Sequence, residues 1–255
     1  MSTVTGREAL NLRVLRVEVA EGLRAIVREP VALFFSVLMP VAMFAMFASL
    51  FGAGTAPEGI PWAARMLATY GTFGVVSVML ISPGMAVADD RTRGWLRVKK
   101  VSAAPIGTTI AAKVIAALPY ALASLLAISA VSVALAGPVV EPGAWLRLVG
   151  VLLVGSLPFA LLGLAIGFVT SSNAAAAVLN AVFFPMVIAS GLWFPLDMLP
   201  GFVQAVAPFL PTYHLSRLAL AQLTGAPALG HLLALLIMTA VGGGLAAWAY
   251  RNLRV

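Results

Sequence analysis

The densest group of ionisable side chains lies between Asp89 and Lys100, in the stretch DDRTRGWLRVKK, which holds seven of the twenty-five charged residues. Carboxylates and guanidinium groups at this spacing can pair with one another, with a partner protein or with phosphate groups. The chain has no cysteine and only two histidines, which excludes thiolate chemistry and leaves little room for a metal site. The stretch therefore indicates binding rather than catalysis.

Composition shows what surrounds this charged stretch. The chain of 255 residues is 62% hydrophobic and 10% charged, whereas an ordinary soluble domain has about 25% charged residues. Such a composition is typical of a membrane protein, so the net charge of +7 must first be interpreted as a topology signal.

Runs of roughly 20 mostly apolar residues can cross a bilayer core of about 30 Å. Six such runs predict an all-α, polytopic membrane protein with six transmembrane helices. Prolines inside the runs are compatible with spans, because neighbouring helices can satisfy the carbonyl groups that proline leaves free. The predicted spans are residues 30–51, 62–88, 110–136, 144–169, 174–194 and 229–250.

The basic residues predict the orientation of these spans. Three of them, Arg65, Arg147 and Arg217, lie on one predicted side, and Lys113 lies near the start of the third span, where its side chain can snorkel to the headgroups. By the positive-inside rule, the more basic side is cytoplasmic, which places both termini there in a protein of the cell membrane. The twelve on that side are Arg7, Arg13, Arg16, Arg24, Arg28, Arg91, Arg93, Arg97, Lys99, Lys100, Arg251 and Arg254.

Residues 1–29 contain four glutamates and no compact apolar region, which argues against a signal peptide. At 100° per residue, one face of a helix here collects Leu12, Leu15, Val19, Leu23 and Ile26. We expect an amphipathic helix in the cytoplasmic interface. A helix that binds a partner or is simply solvated remains the alternative.

The connection at 195–228 is rich in proline but also in Leu, Phe and Val, which is too apolar for a disordered linker. It predicts short or re-entrant helices on the extracellular side, broken at Pro200, Pro208 and Pro211. We expect these helices to bury their apolar side chains against the bundle.

The charged stretch itself has the pattern of a short helix. Asp89 and Asp90 would occupy the N-cap and first turn, and Lys99 and Lys100 the last turn, as the helix dipole favours. Apolar contact points inside it, including Trp95, indicate that a partner docks there. A cluster that only fixes topology is the alternative, and a nucleic-acid site is disfavoured because it would be pressed against anionic lipid.

Two motifs resemble the ABC-2 family of transporter permeases, the membrane subunits of ATP-driven exporters. The first is DDRTRGWLRVKKVSAAP, in which Asp90, Arg91, Gly94, Leu96 and Pro105 match the family's first cytoplasmic loop, although Ala103 and Ala104 shift the proline. The second is SGLWFPLDMLPGFVQAVAPFLPTYHL, with its Pro-Leu step and Leu-Pro-Gly turn. The resemblance covers the whole chain.

This resemblance implies a cytoplasmic helix at 1–29 and a transmembrane domain at 30–255, with a coupling loop at 89–105 and an extracellular segment at 195–228. Since no GxxxxGK[ST] sequence occurs, a separate cytoplasmic ATPase subunit would bind ATP and Mg²⁺, and this non-catalytic chain would bind no cofactor. Two permease chains, as a homodimer by preference, would pair with two ATPases. The predicted contact residues are Arg93, Gly94, Trp95, Leu96 and Arg97.

The resemblance also implies a substrate path on the dimer axis between spans two and five, with an extracellular gate at Leu192 and Trp193. Ordinary packing is the alternative for each lining residue. Gly163 and Gly167 form a GxxxG pattern compatible with close helix packing, and the two histidines, His214 and His231, are interpreted as structural. The predicted lining residues are Tyr70, Phe73, Val76, Ser77, Leu80, Asn180, Phe183, Phe184 and Val187.

These apolar walls favour export of a hydrophobic or amphiphilic substrate such as a drug, an antibiotic or a lipid-like molecule, and so an efflux or drug-resistance role. Polysaccharide or lipid-linked glycan export is the alternative within the family. An ion-coupled secondary transporter is disfavoured, because ionisable groups would be expected near the middle of the membrane. A membrane scaffold that assembles another complex is a third class.

Overall fold

The computed structural model describes residues 14–24, 30–96 and 106–252, with the backbone alone at 30–36 and at 106. Predictions that involve Leu12, Ile26, Arg97, Lys99 and Pro105 therefore lie outside the described residues. Every long element in the described part of the chain is helical. The helices are α1 (residues 14–24), α2 (Pro30–Phe51), α3 (Trp62–Thr92), α4 (Ile106–Ala136), α5 (Pro142–Gly155), α6 (Leu157–Val169), α7 (Ser172–Ala189), α8 (Gly201–Val206), α9 (Pro211–Thr224) and α10 (Leu229–Arg251).

Five helical segments are long and apolar enough to cross a membrane, with α5 and α6 counted as one, among the residues that the structure describes. They correspond to predicted spans two to six. Helix α2 covers the first predicted span, but its side chains are described only from Val37 to Phe51, which is shorter than a span. A sixth span therefore stays a prediction.

Helix α3 forms the centre of the bundle. It has 31 residues, of which 22 are buried, and α2, α4, α6, α7 and α9 pack around it. One end of the bundle, where α3 ends and α4 and α7 begin, is called the Gly94 end. The opposite end, where α7 ends and α9 lies, is called the Gly191 end.

The closest helix contact joins α3 to α6. A Cβ atom on Gly163 would collide with the carbonyl oxygen of Leu80, and a Cβ on Gly167 would collide with that of Gly84. The two backbones can approach this closely only because both positions lack a side chain. In lipid, where apolar burial drives helix association weakly, such close packing is a main source of stability. The GxxxG pattern is thus confirmed as a packing motif.

The fourth predicted span is one span with a break. Helix α5 ends at Gly155 and α6 begins at Leu157, with Ser156 between them. Pro158 has no N–H group, and its ring opposes the carbonyl of Val154 four residues earlier, which interrupts the helix. The Ser156 hydroxyl donates a hydrogen bond to the Leu153 carbonyl at 2.7 Å, so part of the lost bonding is replaced.

Short helices do fill the segment between α7 and α10, as predicted. Helix α8 follows Pro200 and α9 begins at Pro211, while Pro208 lies within a 3-10 turn at Ala207–Phe209. The burial prediction is correct only for α9, whose apolar side chains pack against α3 and α5. It is wrong for the first half, because Phe202 and Phe209 are 74% and 78% exposed.

Candidate functional site

The charged stretch begins differently from the sequence prediction. Helix α3 does not stop at Ala88 but continues to Thr92, so Asp89 and Asp90 lie in its last turn rather than at the start of a new helix. The N-cap prediction is therefore wrong. The helix ends because Gly94 has φ +78°, a left-handed conformation that residues with a side chain seldom adopt.

Two ion pairs make carboxylates acceptable at this helix C-terminus, where the dipole disfavours negative charge. The Arg93 Nε atom lies 2.9 Å from an Asp89 carboxylate oxygen, on an exposed surface. The Lys113 ammonium lies 2.9 Å from an Asp90 carboxylate oxygen, and both side chains are less than one-fifth exposed. Lys113 thus points towards α3, which corrects the prediction that it snorkels to the headgroups.

We expect Lys113→Met to lower the free energy of unfolding by about 1–3 kcal/mol, because it leaves a largely covered carboxylate with less compensation. Thermal unfolding of the purified chain in detergent measures this loss. The charge-swapped double variant, Asp90→Lys with Lys113→Asp, should recover part of it. As a matched control, Arg24→Met breaks a 3.9 Å pair with Glu21 whose side chains are about 70% exposed and should change little; equal losses in both variants would contradict the prediction.

Past Gly94 the chain turns its apolar residues in opposite directions. Trp95 is 56% exposed, whereas Leu96 is 3% exposed and belongs to the hydrophobic core. Of the five predicted contact residues, Arg93, Gly94 and Trp95 are therefore accessible, Leu96 is covered by the chain itself, and Arg97 lies outside the described residues.

Helix α1 lies beside the start of α4 at this same end. The Tyr120 hydroxyl donates to the Leu23 carbonyl at 3.4 Å, and the Thr109 hydroxyl donates to a Glu18 carboxylate oxygen at 3.4 Å. On the predicted apolar face, Leu15, Val19 and Leu23 are half-buried, while Arg16, Val17, Glu21 and Arg24 are exposed. The amphipathic pattern is present, and its apolar side faces a helix of the bundle.

Towards the Gly191 end, nine aromatic rings form one continuous aromatic cluster. It joins α2, α3, α7 and the turn that follows α7, with neighbouring ring centroids 5.3–6.5 Å apart. Its members are Phe44, Phe47, Phe51, Tyr70, Phe73, Phe183, Phe184, Trp193 and Phe194. Predicted lining residues and a predicted gate residue thus meet in a single group.

The cluster also contains four rings that the sequence did not single out. Phe44, Phe47 and Phe51 come from α2, and Phe194 follows the gate; Phe44 contacts Tyr70 edge to face, at 6.1 Å. A signal was available, because Phe44, Phe47 and Phe51 have the i, i+3, i+7 spacing of one helix face.

The predicted lining residues differ in their environment. Asn180 and Phe184 are half-buried on the side of α7. The others are covered within a single chain, because α7 and α6 pack directly over α3. No predicted lining residue borders the pocket of about 520 Å³ that opens at the Gly191 end beside Glu141 and Arg147. The buried ones are Tyr70, Phe73, Val76, Ser77, Leu80, Phe183 and Val187.

The predicted gate lies in a tight turn after α7. Gly191 has φ +73°, and a Cβ there would approach the Leu196 Cβ at 3.2 Å. Leu192 is buried, and the Trp193 ring packs on Phe73 at 5.6 Å. Helix α9 braces this turn, because the Thr212 hydroxyl donates to the Met186 carbonyl at 3.0 Å and contacts the Ser190 hydroxyl.

The two histidines join α9 to α10. Their Nδ1 atoms lie 2.9 Å apart, and His214 Nε2 lies 2.8 Å from the Pro208 carbonyl. Since a carbonyl only accepts, His214 donates from Nε2 and its Nδ1 accepts the Nδ1 hydrogen of neutral His231. In the part of the chain that the structure describes, no three His, Cys, Asp or Glu side chains group as metal ligands.

We expect His214→Phe to lower the free energy of unfolding by about 1–2 kcal/mol, because it removes the hydrogen bond to His231 on α10 and the one to the Pro208 carbonyl. Hydrogen exchange of backbone amides at the start of α10 should quicken. Gln222→Ala on the same helix is the control, since among the described residues its amide donates only to the Leu218 carbonyl within α9. Unchanged exchange in the His214 variant would contradict a structural role.

The sequence model for the ABC-2 type transporter family matches residues 14–224. The putative transport permease YvfS of Bacillus subtilis (strain 168) is 23% identical over 203 residues, covering 80% of this chain and 82% of that protein. The matched range runs from α1 to the end of α9 and so includes both the Gly94 turn and the aromatic cluster.

Proposed function

The chain belongs to the ABC-2 type transporter family and is a multi-pass membrane transport permease, and from this premise we propose that it is the membrane subunit of an ATP-driven exporter. A separate ATPase subunit hydrolyses ATP and moves the chain between inward-open and outward-open states. The Gly94 end faces the cytoplasm, in keeping with its excess of basic residues.

Exposed Trp95, just beyond the Gly94 turn that ends α3, is the observation that carries this proposal. A large aromatic side chain that is 56% exposed and flanked by basic residues is a typical anchor for a protein interface. Leu96, packed in the core, ties the same segment to the bundle. A cleft on the ATPase that holds Trp95 would therefore pull or push on α3 whenever the ATPases close.

The surface of α7 supports a second permease chain as the other partner. Its uncovered face is mostly apolar and includes small or medium side chains such as Ala177, Ala181 and Ile188. Such residues allow two helices to pack closely in lipid. We propose that two copies of the chain meet along this face and enclose the export path.

The described charged side chains of the long helices favour an ATP-driven mechanism over an ion-coupled one. Arg65 lies in the first turn of α3 and pairs with Glu58 at 3.1 Å, and Lys113 pairs with Asp90 near the other end. These ion pairs fix helix ends, whereas coupling ions are usually bound near the middle of the membrane.

Reconstitution tests the proposal directly. The chain and the ATPase with which it co-purifies would be placed in vesicles, a hydrophobic fluorescent dye and ATP would be added on the ATPase side, and the dye should accumulate in the vesicle lumen only when ATP is present. Transport by a proton gradient without any ATPase would instead support a secondary transporter, and inability to transport would support a scaffold. ATP-driven transport of a lipid-linked glycan but not of the dye would support the glycan alternative.

A further inference from the structure

Two hydrogen-bond donors in the aromatic cluster have no partner. The Tyr70 hydroxyl and the Trp193 indole N–H are both buried, and neither is hydrogen-bonded to any residue that the structure describes. Buried polar groups in proteins are nearly always paired, and an unpaired group within a membrane is costlier because water is absent. These two donors therefore need an explanation other than packing.

Both donors belong to the same apolar compartment. The Tyr70 and Trp193 rings both contact Phe73, with centroids 6.5 and 5.6 Å from it. Aromatic rings are their neighbours, so a ligand that enters between these rings meets apolar ring surface together with one O–H and one N–H group. The cluster thus provides two hydrogen-bond donors, and none of its nine side chains is charged.

We propose that these groups are a substrate-recognition site for apolar, ring-bearing molecules that carry carbonyl or ether oxygens. The Tyr70 hydroxyl and the Trp193 indole N–H donate to such an oxygen, and the phenylalanine rings stack on the carbon framework. A carbonyl oxygen with its two lone pairs is an acceptor that suits either donor. This inference rests on the proposed function, for which it names the class of substrate.

The same chemistry disfavours the other classes of substrate. A small, strongly hydrated cation would meet the hydrogen ends of both donors and no carboxylate of the cluster to replace its water. A sugar chain carries many hydroxyl groups that each need partners, and the cluster would leave most of them unpaired. A hydrocarbon would fit the rings but leave both donors as they are, so the site discriminates by the oxygen and not by size. A site that hydrogen-bonds a particular group of its ligand strongly rejects analogues that lack this group.

The arrangement in this structure is closed, because the rings pack directly on one another. The turn that carries Trp193 begins at Gly191, whose φ of +73° makes it the position where this turn can change direction at low cost. When the turn and α7 move away from α3, the two donors become available to the ligand. Substrate binding then supplies the hydrogen bonds that the closed state lacks and so favours the open state.

A matched pair of probes tests this inference. Fluorenone and fluorene have the same ring framework and differ by one carbonyl oxygen. Their binding to the purified chain in lipid nanodiscs, corrected for binding to empty nanodiscs, would be compared for the wild type, Tyr70→Phe, Trp193→Phe and the double variant. Trp248→Phe, at a 61% exposed indole on α10, is the control.

The wild type and the control should bind fluorenone about tenfold more tightly than fluorene, as expected for one to two net hydrogen bonds. Each single variant should reduce this ratio, and the double variant should bring it to about one while fluorene affinity stays unchanged. Tyr70→Phe should also unfold at the same or a higher temperature than the wild type, since it removes an unpaired hydroxyl.

Three results would overturn the inference: a wild-type ratio near one, a ratio that persists in the double variant, or an equal loss of both probes. Failure of the exporter proposal is distinguishable. If ATP drives no transport in vesicles but the probe ratio depends on Tyr70 and Trp193, the binding site stands and the exporter assignment falls.

Discussion

Trp95→Asp should abolish the stimulation of ATPase activity by substrate while leaving the chain inserted in the membrane. The indole is 56% exposed and so contributes little to the fold of the chain itself. A carboxylate in its place would have to enter the proposed ATPase cleft without a partner, and an uncompensated charge in an interface costs about 2–5 kcal/mol. Such a cost lowers occupancy of the coupled complex by well over tenfold.

The measurement is ATP hydrolysis by the co-purified complex with and without the hydrophobic dye. Trp95→Phe, which retains an aromatic anchor, is the matched control and should keep most of the stimulation. The amount of ATPase recovered with the chain gives a second readout, which should fall in parallel for the Asp variant. Normal stimulation in Trp95→Asp would show that the Gly94 turn is not the coupling contact.

Gly163→Leu should prevent stable folding or lower the free energy of unfolding by about 3 kcal/mol or more, because overpacking a close helix contact forces the backbones apart. A Cβ at this position already collides with the Leu80 carbonyl oxygen, and backbone cannot move aside as a flexible side chain can. Gly167→Leu should behave in the same way against Gly84.

The same substitution at Gly150, in the other half of the same span, serves as the control. A Cβ on Gly150 meets nothing within 4 Å, so Gly150→Leu adds the same volume and apolarity in open space. Thermal unfolding in detergent, together with the yield of monodisperse protein, should separate the two variants clearly. Similar behaviour of both would mean that α3 and α6 do not depend on backbone contact.

The sequence predicts the places where helices cross the membrane better than the places where they end. Hydropathy marks Ala88 as the end of span two, because Asp89 and Asp90 are charged. The helix nevertheless continues to Thr92, since Arg93 and Lys113 neutralise those carboxylates and Gly94 ends the helix by its conformation. Lys113 is 23 residues from Asp90, so its compensation could not be read from local sequence.

The sequence allowed the residue types of the candidate site to be predicted, but not the surroundings of each side chain. Phe73 and Phe183 were singled out and do meet, stacked at 5.5 Å. Whether a ring faces a passage or a neighbouring helix depends on how its helix is rotated. That rotation is set by contacts distant in sequence, such as the contact of Gly163 in α6 with Leu80 in α3. Phe44 was missed because the first predicted span is apolar on every side, which hides the stripe that it shares with Phe47.

The break at Ser156 divides one membrane crossing into two parts with different attachments. The half that contains Gly163 and Gly167 is clamped to α3 by backbone contact, while the half that contains Gly150 has no such clamp. If α3 shifts along its axis, α6 must travel with it as a single piece. The strain then concentrates at Ser156, and α5 can remain in place while α6 follows the movement of α3.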